Sequence, residues 1–187
     1  MVKIYTKSGD NGKTNLLFGG NTSKSDLRVE TYGTVDEAVS FLGLAKSLIT
    51  NNDIRKIIED LQHSLFIIGA ELATTPQNKK KLNDQVKTIT TDMVNNLESL
   101  IDNINEKINL GDKFIMPGNS VGSAAIDVAR TVVRRLERRI VELIGSDNSI
   151  NSNIIPYVNR ASDLLFILGR FEDNDKAIKE ITDLRKS

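Results

Sequence analysis

The stretch SAAIDVARTVVRRLERRIVELIG, residues 123–145, decides the fold class, because its apolar side chains recur at helical spacing. On a helical wheel of about 100° per residue, Ala129, Val133, Leu136 and Ile140 fall on one face. Gly145 then supplies a residue type that commonly ends a helix. A long helix with one apolar stripe must bury that stripe against other elements, so we predict a helical bundle.

Two charged faces flank the apolar face of this predicted helix. Their members are Arg130, Arg134, Glu137 and Arg138 on one side, and Arg135, Arg139 and Glu142 on the other. Arginine holds phosphate or carboxylate well, because its planar guanidinium donates two parallel hydrogen bonds. Two interpretations stay open at this point: a binding face for anions, or a solvated face on which Glu137 and Glu142 balance the arginines.

Apolar residues at helical spacing predict four further helices. They cover residues 28–49, 53–74, 90–109 and 156–173. Asp53 is the candidate N-cap of the second of these segments. The polar segment 75–90 is predicted as a loop, and the last residues are predicted as a helical tail. The stretch KIYT near the N-terminus is too short to add a sheet, so the predicted fold class is an all-α five-helix bundle.

Composition excludes several classes of function. The chain has 187 residues, which predicts one domain, and its 25 basic residues balance 25 acidic ones. A neutral chain is not typical of a nucleic-acid or membrane-surface binder. There is no cysteine and His63 is the only histidine, which excludes a Cys/His zinc site and a ferritin-type di-iron bundle with two Glu-x-x-His motifs. No apolar run has membrane-spanning length and no secretory signal is visible, so we expect a cytoplasmic protein.

The N-terminal stretch KSGDNGKTNLLFGG, residues 7–20, is similar in sequence to a phosphate-binding loop. Gly12, Lys13 and Thr14 match the end of a P-loop, but Lys7 stands where its first glycine belongs. A glycine-rich loop can still bind phosphates through its backbone N–H groups. The alternative is an ordinary surface turn, since Gly-Asp-Asn-Gly is favourable turn chemistry.

Several polar or apolar residues do not fit a plain bundle. Asp36 lies between Val35 and Val39, which suggests a partly buried carboxylate that pairs with an arginine of the long helix; a surface position is the alternative. Asn159 shares a face of the last predicted helix with Asp163, Phe166 and Arg170, and needs a partner if it is buried. Phe114, in the link before the long helix, either enters the core or forms a wall for a large ligand.

In this order, the features resemble the corrinoid adenosyltransferases, the propanediol-utilisation type of ATP:cob(I)alamin adenosyltransferase. The stretches that carry the resemblance are KIYTKSGDNGKTNLLFGG, SKSDLRVETYGTVDEAVSFLG, LQHSLFIIGAELA, FIMPGNS, ARTVVRRLERR and NRASDLLFILGR. They run from residue 3 to about residue 172 and therefore cover nearly the whole chain. Two positions depart from the family pattern: Asn119 replaces a glycine, and Asp127, beside the corrin region, replaces a frequent histidine.

The resemblance implies a ferritin-like, five-helix bundle that forms a homotrimer and binds ATP between neighbouring subunits. Within a single domain, 1–187, it implies an ATP loop at 1–25, a bundle at 26–175 and a tail at 176–187. The residues it assigns to nucleotide binding are Thr6, Lys7, Ser8, Gly9, Asp10, Asn11, Gly12, Lys13, Thr14, Asn15, Lys24, Arg134, Arg135, Glu137, Arg138 and Asn159.

The resemblance also implies the reaction. Cob(I)alamin attacks the 5′ carbon of ATP, triphosphate leaves, and Mg²⁺ assists the departing charge. The residues implied in this step are Phe114, beside the corrin ring where it displaces the lower cobalt ligand, Arg134, and a pair formed by Asp36 and Arg130 across the subunit boundary. A reductase and an adenosylcobalamin-dependent enzyme are the implied partners. The alternative function is a sensor or carrier of nucleotide or corrinoid that keeps the bundle but does not turn over.

Overall fold

The computed structural model describes residues 5, 7, 9–108, 110 and 114–173. Within this part, six α-helices and one short hairpin follow each other along the chain. The strands are β1 (Lys13–Asn15) and β2 (Asn21–Ser23), and the helices are α1 (Leu27–Leu48), α2 (Asn52–Leu72), α3 (Lys79–Gln85), α4 (Thr91–Asn105), α5 (Val121–Ile144) and α6 (Ile154–Glu172). The prediction of an all-α bundle of five long helices is confirmed.

The long helices pack in a fixed order around one core. Helix α1 packs against α2 and α5, and α6 packs against α5 and α4. The predicted apolar face of α5 is buried here: Ala129, Val133, Leu136 and Ile140 are each at most 1% exposed. Burial of apolar side chains in this core, of which these four are part, is the main favourable contribution to the free energy of folding.

The helix ends follow local capping chemistry. The prediction of Asp53 as the N-cap of α2 is wrong, because Asn51 accepts from the backbone N–H groups of Asp53 and Ile54. At the start of α5, the Ser120 and Ser123 side chains form a reciprocal capping box. Gly145 is the C-cap of α5, as the sequence predicted.

Two short elements lie where the sequence predicted none. Helix α3, preceded by a 3₁₀ turn at Pro76–Asn78, occupies the segment predicted as a loop, and Leu82 alone anchors it in the core. The hairpin pairs Lys13 with Ser23 and Asn15 with Asn21 inside the predicted N-terminal loop. The predicted C-terminal tail and most of KIYT lie outside the described residues.

A largely buried ion pair connects two helices at one end of the bundle. Arg28, at the start of α1, donates to the carbonyls of Leu72 and Thr74 at 2.6 and 3.1 Å, and it pairs with Asp147 beyond α5. This contact fixes the N-terminus of α1 beside the C-terminus of α5, so the two helices are antiparallel. No helix in the described part of the chain is long and apolar enough to cross a membrane.

Candidate functional site

The N-terminal loop is a compact turn stabilised by its own backbone. The N–H of Gly12 donates to Gly9 at 3.2 Å, and the N–H of Lys24 donates to Gly12 at 2.9 Å. Gly12 has a φ of 75°, a left-handed conformation that glycine adopts without strain. The hairpin therefore brings Lys24 back beside the first turn, Gly9–Gly12.

Gly9 allows a close approach of the Lys24 ammonium. A Cβ atom added at Gly9 would lie 2.9 Å from Nζ of Lys24, which is closer than real Cβ contacts. The loop thus combines exposed backbone groups with a lysine held over them, a combination suited to an anion. Of the predicted loop residues, Thr6 and Ser8 lie outside the described part.

A second cationic surface lies on α5. The side chains of Arg134 and Arg138 are exposed, and no described residue pairs with the guanidinium of Arg134. Nη1 of Arg138 donates to the Arg134 carbonyl at 3.0 Å, which lays the Arg138 side chain along the helix surface. The predicted face is therefore accessible to a ligand.

Helix α6 extends this surface through Asn159. Nδ2 of Asn159 donates to Oε1 of Glu137 at 3.0 Å, and Oδ1 accepts from Nη1 of Arg160 at 2.7 Å. Arg160 in turn donates from Nε to Glu98 on α4 at 2.8 Å. The sequence predicted both Asn159 and Glu137 as nucleotide residues, and the structure places them in direct contact, with Asn159 held from both sides.

The other flank of α5 faces α1. Arg135 pairs with Glu37, and Arg139 lies 3.7 Å from Glu30 and 3.0 Å from Glu142. The two stripes of the predicted helix therefore differ. Arg135 and Arg139 are balanced by acidic residues inside the chain, whereas Arg134 and Arg138, which form the open arginine stripe, pair with no acidic residue in the described part. Arg135 belongs to the balanced stripe, although the sequence grouped it with the nucleotide residues.

Asp36 lies on the surface of the single chain. Its side chain is exposed, and no basic residue in the described part of the chain pairs with it. It stands in a shallow apolar depression with Leu17, Tyr32 and Phe66, of which Phe66 is 64% exposed. Within one chain the surface alternative therefore holds, because α2 covers Val35 and Val39 but leaves the Asp36 position uncovered; the pairing of Asp36 with an arginine stays a prediction.

Arg130 lies on the side of α5 that faces α6. Its Nε donates to Oδ1 of Asp127 at 3.2 Å, and Asp127 also pairs with Arg170. Asp127 is 5% exposed and lies between α5 and α6; its place beside the corrin region stays a prediction. The sequence did not predict this network, although the spacing of Asp127 and Arg130 already allowed an ion pair on one helix.

The link before α5 excludes one of the two interpretations of Phe114, the core position. Its ring is 74% exposed and Met116 is 50% exposed, so neither side chain enters the core. Val121 and Val128, at the exposed side of the adjoining turns of α5, add apolar surface. An exposed aromatic of this kind is suited to a large flat ligand.

The predicted residues thus fall into separate groups within one chain. The loop is attached to the end of α2, where the N–H of Leu17 donates to Ala73 at 3.0 Å. The open arginine stripe faces α6 instead. Among the described residues, no hydrogen bond or ion pair joins residues 9–15 or Lys24 to Arg134, Arg138 or Asn159.

A polar cavity of about 450 Å³ lies apart from all of these groups. Glu71 lines it; its Oε1 accepts from the N–H of Ile89 at 2.7 Å and its Oε2 accepts from Asn151 at 2.9 Å. Burial raises the pKa of Glu71 above its ordinary value, against these hydrogen bonds and Lys79, which lower it. None of the predicted site residues lines this cavity. Its polar groups form hydrogen bonds that hold the loops between helices in place.

No cluster of three or more acidic or histidine side chains in the described ranges could hold a metal ion.

The fold and these surfaces define a helical-bundle protein with a cationic loop, an open arginine stripe and an exposed aromatic link. The family model described as cobalamin adenosyltransferase matches residues 4–172. The chain belongs to this family.

Named relatives agree with that assignment. The corrinoid adenosyltransferase of Citrobacter freundii is 38% identical over 173 residues, which cover 92% of this chain and 96% of the relative. That of Bacillus subtilis is 37% identical over 184 residues, which cover 96% of this chain and 91% of the relative.

A solved structure is similar over the full length. It is a phenylalanine-to-alanine variant of the PduO-type ATP:corrinoid adenosyltransferase from Lactobacillus reuteri, complexed with cobalamin and ATP. Its TM-score with this chain is 0.88 at 34% identity, and the alignment covers 98% of this chain and all of the other.

Proposed function

We propose that this protein transfers the 5′-deoxyadenosyl group of ATP to cob(I)alamin and releases adenosylcobalamin and triphosphate. The observation that carries the proposal is the open arginine stripe of α5 beside the Asn159–Glu137 pair. It offers guanidinium groups that no carboxylate in the described part of the chain neutralises. A chain of phosphates is the ligand class that such a stripe fits.

The bond changes balance without a nucleophile from the protein. The cobalt of cob(I)alamin supplies both electrons of the new bond to the 5′ carbon and is formally oxidised by two electrons. The bond from this carbon to its oxygen breaks, and the oxygen leaves on the triphosphate. Negative charge grows on that oxygen, and Arg134 and Lys13 stabilise it. This explains how a chain without cysteine can catalyse the transfer.

Phe114 supplies the corrin side of the site. Its exposed ring gives an apolar surface on which the flat corrin can lie, and it excludes water from the lower face of the cobalt. A cobalt ion without a lower ligand is easier to reduce to the cobalt(I) state that attacks ATP. Mg²⁺ bound to the phosphates would supply additional positive charge; the loop residues and the arginine stripe hold the phosphates that carry it.

The site forms between subunits of a homotrimer in this proposal. The loop and Asp36 lie on one face of the chain, and Arg130 and the arginine stripe lie on another. When unlike faces meet head to tail, a closed ring results if the rotation closes. Asp36 of one subunit then meets Arg130 of its neighbour, and the apolar depression around Phe66 is covered.

The partners expected from the sequence remain part of the same proposal. They are a reductase that delivers cob(I)alamin and an enzyme that consumes adenosylcobalamin, in the cytoplasm. A sensor or carrier is the second candidate. The combination of the open arginine stripe and an exposed Phe114 favours the transferase, since the transferase needs both the phosphates of ATP and the corrin.

The test is an anaerobic assay with ATP, Mg²⁺ and chemically reduced cob(I)alamin, followed by absorbance as the cobalt–carbon bond forms. We expect the wild type to form adenosylcobalamin. Arg134→Ala should lower the rate by about 10²-fold or more, as for loss of one preorganised charge-stabilising group. Arg139→Ala is the matched control, because Arg139 lies on the balanced flank of the same helix.

The outcomes separate the two candidates. Equal rates in Arg134→Ala and the control would remove the arginine stripe from the mechanism. Tight ATP binding without any product in the wild type would favour the sensor or carrier.

A further inference from the structure

A buried carboxylate joins two arginines beside the proposed subunit boundary. Oδ1 of Asp127 accepts from Nε of Arg130 at 3.2 Å, while Oδ2 pairs with Nη2 of Arg170. The side chains of Asp127 and Arg170 are only 7% and 3% exposed. Because both are almost fully desolvated, their geometry is fixed by each other and by the packing of α5 on α6.

Both guanidinium groups also approach one aromatic ring, that of Phe166. Cζ of Arg130 lies 5.9 Å from the centroid of the Phe166 ring, and Cζ of Arg170 lies 5.3 Å from it. Both distances fit a cation–π contact. The ring therefore restricts the direction in which the Arg130 side chain can leave α5.

Only one nitrogen of Arg130 is used inside the described part of the chain. Asp127 engages Nε, and the two terminal nitrogens make no hydrogen bond to a described residue. The Arg130 side chain is 25% exposed, so its terminal edge reaches the surface. Two guanidinium groups also share one carboxylate, which leaves a net positive charge that a further anion would balance.

We propose that Asp127 is a positioning residue: together with the Phe166 ring, it holds Arg130 so that its terminal nitrogens point across the subunit boundary. The inference rests on the proposed function, in which Asp36 of the neighbouring subunit receives that edge. A bidentate pair between a guanidinium and a carboxylate depends on a correct orientation, so a freely rotating Arg130 would form it less often. Asp127 thereby acts through Arg130 on the assembly of the site.

A double-mutant cycle tests this role. The variants are Asp127→Asn, Arg130→Met and the double variant, each measured for kcat/KM and for the dissociation constant of the trimer. We expect Asp127→Asn to lower kcat/KM by about tenfold to 10²-fold, as for a small misplacement of a positioning group. In the Arg130→Met background the same change should add little, because residues that act through each other are not additive.

The controls separate positioning from folding. Asp102→Asn, an exposed carboxylate of α4, should behave as the wild type in both measurements. Urea unfolding shows whether Asp127→Asn destabilises the fold, a structural effect that would persist in the Arg130→Met background. If Asp127→Asn does not fold, Phe166→Leu replaces it in the cycle, since that change removes the ring without unbalancing the buried charges.

Each outcome bears on a different claim. Equal effects of Asp127→Asn with and without Arg130, in both measurements, would overturn the positioning role. A wild type that forms trimers but no adenosylcobalamin would overturn the proposed function, while the dissociation constants would still decide the role of Asp127.

Discussion

Asp147 shows how a single carboxylate fixes the end of the bundle that carries the first turn of α1. It pairs with Arg28 and accepts hydrogen bonds from the backbone and the side chain of Ser149. Burial alone would raise the pKa of Asp147, but the hydrogen bonds from Ser149 and Arg28 outweigh it and lower the pKa below the ordinary 3.8. The ionised form is thus favoured in the folded protein.

This pKa shift predicts a pH-dependent contribution to stability. Because the folded pKa is lowered, the contribution is complete above the ordinary aspartate pKa and is lost as the pH falls through the folded value. We expect Asp147→Asn to reduce the free energy of unfolding by about 1–2 kcal/mol at pH 7. The difference should shrink towards pH 3.

Urea unfolding of the wild type and Asp147→Asn at several pH values measures this difference. Glu71, whose pKa is raised, is present in both proteins, so its contribution to the pH dependence of the free energy of unfolding cancels in the difference. A deficit that stays constant from pH 7 to pH 3 would show that the charge of Asp147 is not what stabilises this end.

At the scale of residues, the sequence predicted which side chains have special roles better than it predicted which side chains contact each other. It identified Asn159 and Glu137, but only the packing of α6 on α5 brings them to 3.0 Å. It left open whether Asp36 is partly buried or on the surface, because the hydrophobic pattern of one helix does not say where the adjacent helix ends its coverage. The pairing of Asp127 with Arg170 joins positions 43 apart and needs the fold.

At the scale of elements, strong periodicity was enough for the five long helices. Helix α3 was missed because its seven residues, KKKLNDQ, bury only Leu82 and so carry no periodic signal. The hairpin was missed because KTN and NTS are polar and too short to show alternation. The hairpin region is held by contacts of Leu17 with Ala73 and of Gly19 with Asn78, which lie far away in the sequence.

Glu172 joins three elements at the other end of the bundle. Its Oε1 accepts from the N–H and hydroxyl of Thr50 at 2.8 and 2.9 Å, and Oε2 accepts from the N–H of Asn51 at 3.4 Å. A Cβ atom at Gly122 would lie 3.0 Å from this carboxylate. The C-terminus of α6 is therefore anchored to the turn between α1 and α2 and to the first turn of α5.

We expect Glu172→Ala to lower the free energy of unfolding by about 1 kcal/mol, because the N–H groups of Thr50 and Asn51 lose a charged acceptor. Adenosyl transfer at a temperature where the protein stays folded should change little, since none of these contacts involves the proposed site. Thermal unfolding and the cobalt–carbon absorbance assay measure the two effects. Glu142→Ala, on the exposed flank of α5, is the control. An unchanged melting temperature in Glu172→Ala would contradict the anchoring role.

At the scale of the whole molecule, one chain carries both halves of the proposed site but does not join them. The loop with Lys13 is attached to the end of α2, and Arg134 projects from α5 on the side of α6. The sequence predicted most of the members of each half. It could not place the halves relative to one another from periodicity, because helix order in the bundle depends on tertiary packing. A site shared between two subunits is inferred from this separation and stays a proposal.

Mixing two inactive variants tests this account most directly. One parent carries Lys13→Ala, which damages the loop, and the other carries Arg134→Ala, which damages the arginine stripe. The two are unfolded together in equal amounts, refolded, and assayed for adenosylcobalamin. If each site takes its loop from one subunit and its arginines from the next, random assembly gives about a quarter of the sites both intact halves. We therefore predict recovery of about a quarter of the wild-type activity, treated by the same unfolding and refolding. Activity no higher than the mean of the two parents would contradict a site shared between subunits.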